Sequence, residues 1–171
     1  MKRFFCYILL CFCVSFGFAQ NNSSVNFVIK NVGINVDGDF KTFTINTDFD
    51  TNGTLNNISG EITVASIVTG IDSRDEHLLE EDYFNSENHK FIILKSTSIR
   101  KKGDNSYTVK ANLSIKGTTK AVNLAVKVVR ANGKYKVTSD FEINRKDFKV
   151  GGSSFVMGNT VKIKVIHYQK L

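Results

Sequence analysis

Residues 107–116 read YTVKANLSIK, a stretch in which every second side chain is apolar. Tyr107 and Val109 belong to one set, and Thr108 and Lys110 belong to the other. A β-strand with this order places its apolar side chains on one face and its polar side chains on the opposite face. The alternation therefore predicts a half-buried strand.

The same alternation recurs along the chain and predicts about eight strands. They lie around residues 25–29, 43–49, 62–64, 91–93, 107–115, 122–128, 135–143 and 161–165. Short turn signals separate them, and Asn132-Gly133 is a strong signal for a two-residue hairpin. Only one helix is predicted, so the apolar faces of the strands must cover one another. We therefore expect an all-β fold, an eight-stranded antiparallel up-and-down barrel that is lipocalin-like.

The single helix is predicted near residues 73–82. The segment Ser73-Arg74-Asp75-Glu76 has the spacing of a capping box, with Ser73 as the N-cap and Glu76 at the third helical position. The side chains expected to face the barrel are Leu78, Leu79 and either Tyr83 or Phe84. Such a helix would close one end of the barrel as a lid or plug.

The beginning of the chain predicts export. Lys2-Arg3 precedes an apolar run from Phe4 to Phe18, and residues 17–19 place small side chains three and one positions before a cut ahead of residue 20. The run has about 15 residues, fewer than the roughly 20 that a membrane-spanning helix needs. We expect residues 1–19 to be a signal peptide and residues 20–171 to be one domain, periplasmic or secreted.

The composition limits the range of possible functions. The 171 residues are 42% hydrophobic and 23% charged, with a formal net charge of +7, which supports a real core and excludes wholesale disorder. All three cysteines, Cys6, Cys11 and Cys13, lie in the predicted signal peptide, so the domain has no thiol chemistry. The sequence holds no H-E-x-x-H or G-x-S-x-G motif, and we expect neither an enzyme nor a metal site.

The distribution of the basic residues bears on whether nucleic acid is a partner. Lysines such as Lys110, Lys116 and Lys136 are spread over the outward faces of the predicted strands. This spread disfavours nucleic-acid binding and fits transient contact with an anionic membrane surface.

Several stretches carry a resemblance to a known family. They read DSRDEHL at 72–78, DYFN at 82–85, FIILKS at 91–96, LSIKGTTK at 113–120, INRKDF at 143–148 and VGG at 150–152. Together with residues 25–31 and a glycine-x-phenylalanine turn at 38–40, they resemble the YceI-like lipid- and polyisoprenoid-binding family over nearly all of residues 24–168. Two departures, His89-Lys90 for tyrosine-proline and Lys149 for glycine, are expected to alter local turns only.

The resemblance implies a hollow barrel that holds an amphiphile with a long apolar tail, such as an isoprenoid, an isoprenoid quinone or a fatty-acid derivative, without a covalent cofactor. The candidate ligand-wall residues are Phe27, Ile29, Phe43, Ile45, Phe91, Ile93, Leu113, Val126, Phe141 and Ile143, with Phe148, Phe155 and Met157 near the last strands. Apolar strand positions are more often packed core than ligand wall. The alternatives are a filled barrel that acts through its surface and an accessory protein that delivers quinone to a membrane redox partner. A homodimer is left open.

Charged residues in the resembling stretches have two interpretations. Arg74, Asp75 and His77 match the family signature and are candidates for contact with a ligand head group. The alternative is that Arg74 and Asp75 pair with each other or cap the helix while His77 lies on its surface. Arg145 and Asp147 are expected to form a charge pair that pins the last hairpin.

Overall fold

The computed structural model describes residues 23–171, and the predicted signal peptide lies outside them. Ten antiparallel strands form one sheet in the order β3-β4-β6-β7-β8-β9-β10-β1-β2-β5. The strands are β1 (Ser24–Asn31), β2 (Ile34–Phe40), β3 (Phe43–Phe49), β4 (Leu55–Thr63), β5 (Ile67–Val68), β6 (Phe91–Gly103), β7 (Ser106–Ile115), β8 (Thr118–Ala131), β9 (Lys134–Asn144) and β10 (Met157–Lys170). One α-helix, α1 (Asp72–Leu79), and two 3-10 turns, Val64–Ser66 and Arg145–Phe148, complete the described fold. The predicted all-β antiparallel class is confirmed.

The count of ten strands differs from the expected eight because two strands bend. Only two residues, Lys41 and Thr42, separate β2 from β3, and only the turn Val64–Ser66 separates β4 from β5. Backbone hydrogen bonds continue through the bend, from Lys41 N to Ser66 O at 3.0 Å and from Thr63 N to Thr42 O at 3.0 Å. Two bent strands therefore bring the curled sheet back toward its beginning.

Beyond this bend, side chains join β3 to the strands across from it. The Thr47 hydroxyl donates to the side-chain oxygen of Gln169, and the rings of Phe49 and Tyr135 stack with centroids 3.9 Å apart. Among the described residues no backbone ladder links β3 to β10. The curl of the sheet is held on this side by side-chain contacts.

The barrel has two unlike ends. The helix end carries α1, the β1–β2 turn and the turn Arg145–Phe148, over a core cluster that includes Phe40 and Phe148. The hairpin end carries the β6–β7 and β8–β9 hairpins and the last residues of β10, over a second cluster that includes Tyr107 and Val109. The names helix end and hairpin end are kept below.

Local turn chemistry explains the hairpin at residues 132–133. Asn132 and Gly133 have φ values of 52° and 69°, which is the left-handed pair that a type I′ turn requires. The predicted hairpin is confirmed. The segment 38–40, by contrast, is not a turn: Gly38 lies inside β2, opposite Phe27 of β1.

The helix begins differently from the expectation. Its N-cap is Ile71, which makes no side-chain capping bond, and Ser73 lies inside the first turn. The predicted capping box is therefore wrong. Instead, the Asp75 carboxylate accepts a hydrogen bond from Thr69 N at 2.9 Å and another from the Thr69 hydroxyl, which anchors the helix to the residues before it.

Candidate ligand cavity

The barrel encloses an apolar cavity of about 240 Å³, somewhat below the roughly 300–1,000 Å³ common for ligand pockets. Nine of the predicted wall residues line it. They are Phe27, Ile29, Ile45, Leu113, Val126, Phe141, Ile143, Phe148 and Met157. The alternation of the strands thus places most of the candidate residues around one space.

The burial of the lining residues differs around the barrel. Leu113 of β7 and Val126 of β8 border the cavity and are buried. Ile29 of β1 and Val161 and Ile163 of β10 also border it and are half-buried. All ten strands therefore contribute to the cavity wall, which is more accessible along β1 and β10.

Two predicted wall residues on β6 lie outside the cavity wall. Ile93 lies opposite the outward-facing Glu61 and Ser114, and Phe91 is 44% exposed. Ile92 and Leu94 line the cavity in their place. Residues 91–94 are all apolar, so no alternation shows which of these side chains point inward. A shift of one residue exchanges the two faces of a strand.

Two further candidates do not reach the cavity. Phe43 faces inward and packs against the core cluster at the helix end, but it is not part of the cavity wall. Phe155 lies in the loop before β10 and is fully exposed. Its aromatic character indicated burial, but nothing in its local sequence places that loop against the barrel.

The helix closes one end of the cavity, as predicted. Leu78 of α1 and the following Tyr83 and Phe84 line the cavity, and Leu79 packs beside them on the core. The ring of Phe84 meets that of Phe40 edge-on, with centroids 6.5 Å apart. These contacts hold the helix over the barrel.

Arg74 and Asp75 meet at Thr69 rather than at each other. Arg74 Nε donates to Thr69 Oγ1 at 2.7 Å, and one terminal Arg74 nitrogen donates to Thr69 O at 2.6 Å. Arg74 and Thr69 line the cavity, whereas Asp75 does not. His77 is exposed, 2.8 Å from Glu80 Oε2, with its ring against Tyr83. Of the three head-group candidates, only Arg74 borders the cavity.

Arg145 does not form the expected pair with Asp147. The guanidinium of Arg145 is buried and donates to backbone oxygens of Val150, Gly151 and Gly158 at 2.7–2.9 Å. It makes longer contacts to the oxygens of Gly152 and Met157 and to the side chain of Asn159. Burial lowers the pKa of Arg145, and nearby Tyr83 opposes this shift. The expected pair with Asp147 was wrong because the positions of the loop carbonyls around Arg145 depend on the fold of the loop and cannot be predicted from residue types.

A second polar group lies in the wall away from the helix. Thr47 and Ser139 are buried, and His167 is half-buried. All three line the cavity. Ser139 Oγ donates to Ala125 O at 3.0 Å, and His167 Nδ1 lies 3.2 Å from Ser23 Oγ. Sequence reasoning missed this group, although a polar residue at an inward position of an alternating strand was a usable signal.

Burial affects the ionisation of His167. It lowers the pKa of the imidazole, and a hydrogen bond with the neighbouring Gln169 side chain opposes the shift. The ring is therefore neutral at pH 7. His167 therefore contributes an uncharged side chain to the cavity lining.

Residues 23–171 lack a metal-binding cluster and a membrane-spanning helix. No cluster of three or more His, Cys, Asp or Glu side chains is arranged to hold a metal ion there. No helix in this range combines the length and the apolar character needed to cross a bilayer.

Known proteins share this architecture. BcnA of Burkholderia cenocepacia superposes with a TM-score of 0.81 at 25% identity, over 86% of this chain and 96% of BcnA. A polyisoprenoid binding domain from Saccharophagus degradans superposes with a TM-score of 0.69 at 19% identity, over 87% and 94% of the two chains, and so shares the fold.

Sequence comparison agrees. A UPF0312 protein of Photorhabdus laumondii is 35% identical over 102 residues, which are 58% of this chain. The chain spans about half the length of that relative, 53%. The model of the YceI-like domain matches residues 16–166, nearly the whole of the described barrel. Since this match extends over most of the chain and the barrel has the fold of solved YceI proteins, the chain belongs to the YceI-like domain family.

Proposed function

We propose that the protein binds a long-chain amphiphile, an isoprenoid, an isoprenoid quinone or a fatty-acid derivative, in the barrel cavity. The apolar cavity of about 240 Å³ is the observation that carries this proposal. An apolar chain leaves water when it enters such a space, and each buried methylene contributes about 0.8 kcal/mol. The polyisoprenoid binding domain of Saccharophagus degradans, which shares the fold, supports a ligand of this class.

The polar end of the ligand is proposed to lie at the helix end, beside Arg74. Arg145 also borders the cavity, but the hydrogen bonds described above engage all of its guanidinium nitrogens. Arg74 keeps one terminal nitrogen, Nη1, without a hydrogen-bond partner among the described residues. That nitrogen can donate to a carboxylate, phosphate or carbonyl oxygen.

The protein is further proposed to act as an exported carrier or store, with residues 1–19 as the signal peptide. Of the two alternatives, a barrel filled with side chains is disfavoured by the apolar cavity that all ten strands border. A role in delivering quinone to a membrane redox partner would need the same cavity. It is a special case of the carrier proposal.

Native mass spectrometry tests the binding proposal directly. The protein is purified without detergent after export from a host that makes isoprenoid quinones, and bound molecules are extracted and identified. We expect one long-chain species per chain. A protein that emerges empty, and that takes up neither an isoprenoid quinone nor a fatty acid after delipidation, would overturn the proposal.

A pair of variants connects binding to the cavity. Ile163→Trp puts a larger side chain into the cavity from β10, and Lys164→Trp places the same ring on the outward face of the next position. Uptake of a fluorescent fatty acid should weaken about tenfold or more in the first variant. It should stay unchanged in the second. Equal uptake by both would place the ligand outside the cavity.

A further inference from the structure

Basic side chains gather at the hairpin end of the barrel. Six of them are Arg100, Lys101, Lys102, Arg130, Lys134 and Lys170, and Lys127 lies beside them opposite Ser106. They stand in and beside the β6–β7 and β8–β9 hairpins and at the end of β10, which the pairing of β7 with β8 and of β9 with β10 brings together. Five of the six are exposed, and Lys134 is half-buried. Asp50 and Asp104 lie in turns at the same end, and Asp48 lies on β3 two residues before Asp50.

The basic side chains at this end are not balanced by ion pairs with acidic side chains of the described chain. Across residues 23–171, none of the six side chains takes part in an ion pair. Lys134 and Lys170 are direct neighbours across β9 and β10. Like charges facing each other across two strands destabilise a sheet. The charges of this pair therefore oppose folding, and an anionic partner would relieve their repulsion.

The opposite end has a different character. Helix α1 and the loop after it carry a run of acidic residues, among them Asp72, Glu76 and Glu80. Within residues 23–171 the exposed aromatic side chains are Phe91 and Phe155, and both lie at that end. Exposed lysines, Lys30, Lys90 and Lys146, accompany these acidic residues at the helix end. An anionic surface therefore attracts the basic end more strongly than the helix end, where the charges are mixed.

We propose that the basic end docks on an anionic phospholipid bilayer. Charge complementarity supplies the attraction, as it does for other clusters of Lys and Arg at membrane surfaces. A nucleic-acid partner fits less well, because the basic end offers neither a helix for the major groove nor an exposed aromatic ring on which bases could stack. Docked in this way, the barrel turns its helix end and Arg74 toward the aqueous phase. The proposal does not require the cavity to be occupied.

Vesicle sedimentation tests the docking. The full chain is mixed with vesicles of phosphatidylcholine alone or with about one-third phosphatidylglycerol, at low and at high salt, where charge attraction is screened. We expect binding to the anionic vesicles at about 0.05 M salt and release at about 0.5 M. Equal binding to both vesicle types, or binding that salt does not reverse, would overturn the proposal.

Charge reversal locates the surface. The variant Lys101→Glu, Lys102→Glu, Arg130→Glu changes three exposed positions at the basic end. The matched control Lys30→Glu, Lys90→Glu, Lys146→Glu makes the same change in net charge with three exposed positions at the helix end. Binding should weaken about a hundredfold in the first variant and only a few-fold in the control. Equal losses would mean that net charge alone matters, and would overturn the assignment of this end.

Two further readouts complete the test. Fatty-acid uptake should be the same in both charge variants, so that loss of docking is separated from any failure of the ligand proposal. A short DNA duplex should not displace the protein from anionic vesicles at equal phosphate concentration. Displacement would identify a nucleic acid as the better partner and overturn the bilayer proposal.

Discussion

The ring of Phe27 on β1 occupies the space in which a side chain of Gly38 on β2 would stand. A Cβ atom at Gly38 would lie only 2.3 Å from Cζ of Phe27, which is too short for a contact between non-bonded carbon atoms. The two residues are direct cross-strand neighbours, and Phe27 lines the cavity. The absence of a side chain at residue 38 therefore sets where this part of the cavity wall stands.

Gly38→Ala should destabilise the protein by about 1–3 kcal/mol, because the ring of Phe27 must leave its position. Urea unfolding measures the loss. Gly60→Ala is the control: Gly60 also lies in a strand, and its nearest heavy atom to a new Cβ, Thr44 O, is 3.8 Å away. The control should change stability by less than about 1 kcal/mol. Equal losses in the two variants would contradict this account.

Arg145→Met should cost about 3 kcal/mol or more, because it leaves the loop carbonyls of residues 150–158 without their donor in a buried place. Asp147→Asn should stay within about 0.5 kcal/mol, since Asp147 makes no ion pair with Arg145 in the described structure. Thermal or urea unfolding of both variants decides the matter. A large loss in Asp147→Asn would restore the charge pair expected from sequence.

The protein should lose stability in mild acid through His167. Burial lowers the pKa of this imidazole, so the unfolded chain takes up a proton at a higher pH than the folded chain does. Stability contributed by the neutral ring is therefore present above the ordinary histidine pKa of about 6.5 and is lost as the pH falls below it. Urea unfolding of the protein and of His167→Gln at about pH 7.5 and pH 5 measures the difference. The variant should lose less stability, and an equal loss would place the titrating group elsewhere.

Substitutions at two neighbouring positions of β6 test which face of that strand points into the barrel. Ile92 is buried and lines the cavity, whereas Ile93 lies between the outward-facing Glu61 and Ser114. Ile92→Ala should cost about 2–4 kcal/mol and Ile93→Ala about 1 kcal/mol or less. The opposite order of the two losses in urea unfolding would return β6 to the orientation first expected from sequence.

Strands with a clean alternation were predictable because the signal is local. In β7, Tyr107, Val109 and Leu113 face inward as their spacing requires, and the same holds for Phe141 and Ile143 of β9. Where four apolar residues follow one another, as at 91–94, the sequence does not show which of them face the interior. Only the cross-strand partners decide which side chains point inward.

The site was predictable to the same extent. An inward apolar face identifies candidates such as Phe27 and Ile45, but not whether they touch a ligand, a cavity or one another. The carbonyls around Arg145 and the polar group of Thr47, Ser139 and His167 are assembled from distant parts of the chain. Their partners depend on how loops and strands meet.

The fold class, the family resemblance and the faces of the alternating strands could be predicted from the sequence alone, because they follow from a period of two residues and from local motifs. Only the tertiary fold places a cavity between the strands and brings six basic residues together at the hairpin end. A cavity is a difference between the space a closed sheet encloses and the volume of the side chains within it. A charged end arises only when hairpins far apart in sequence are brought side by side.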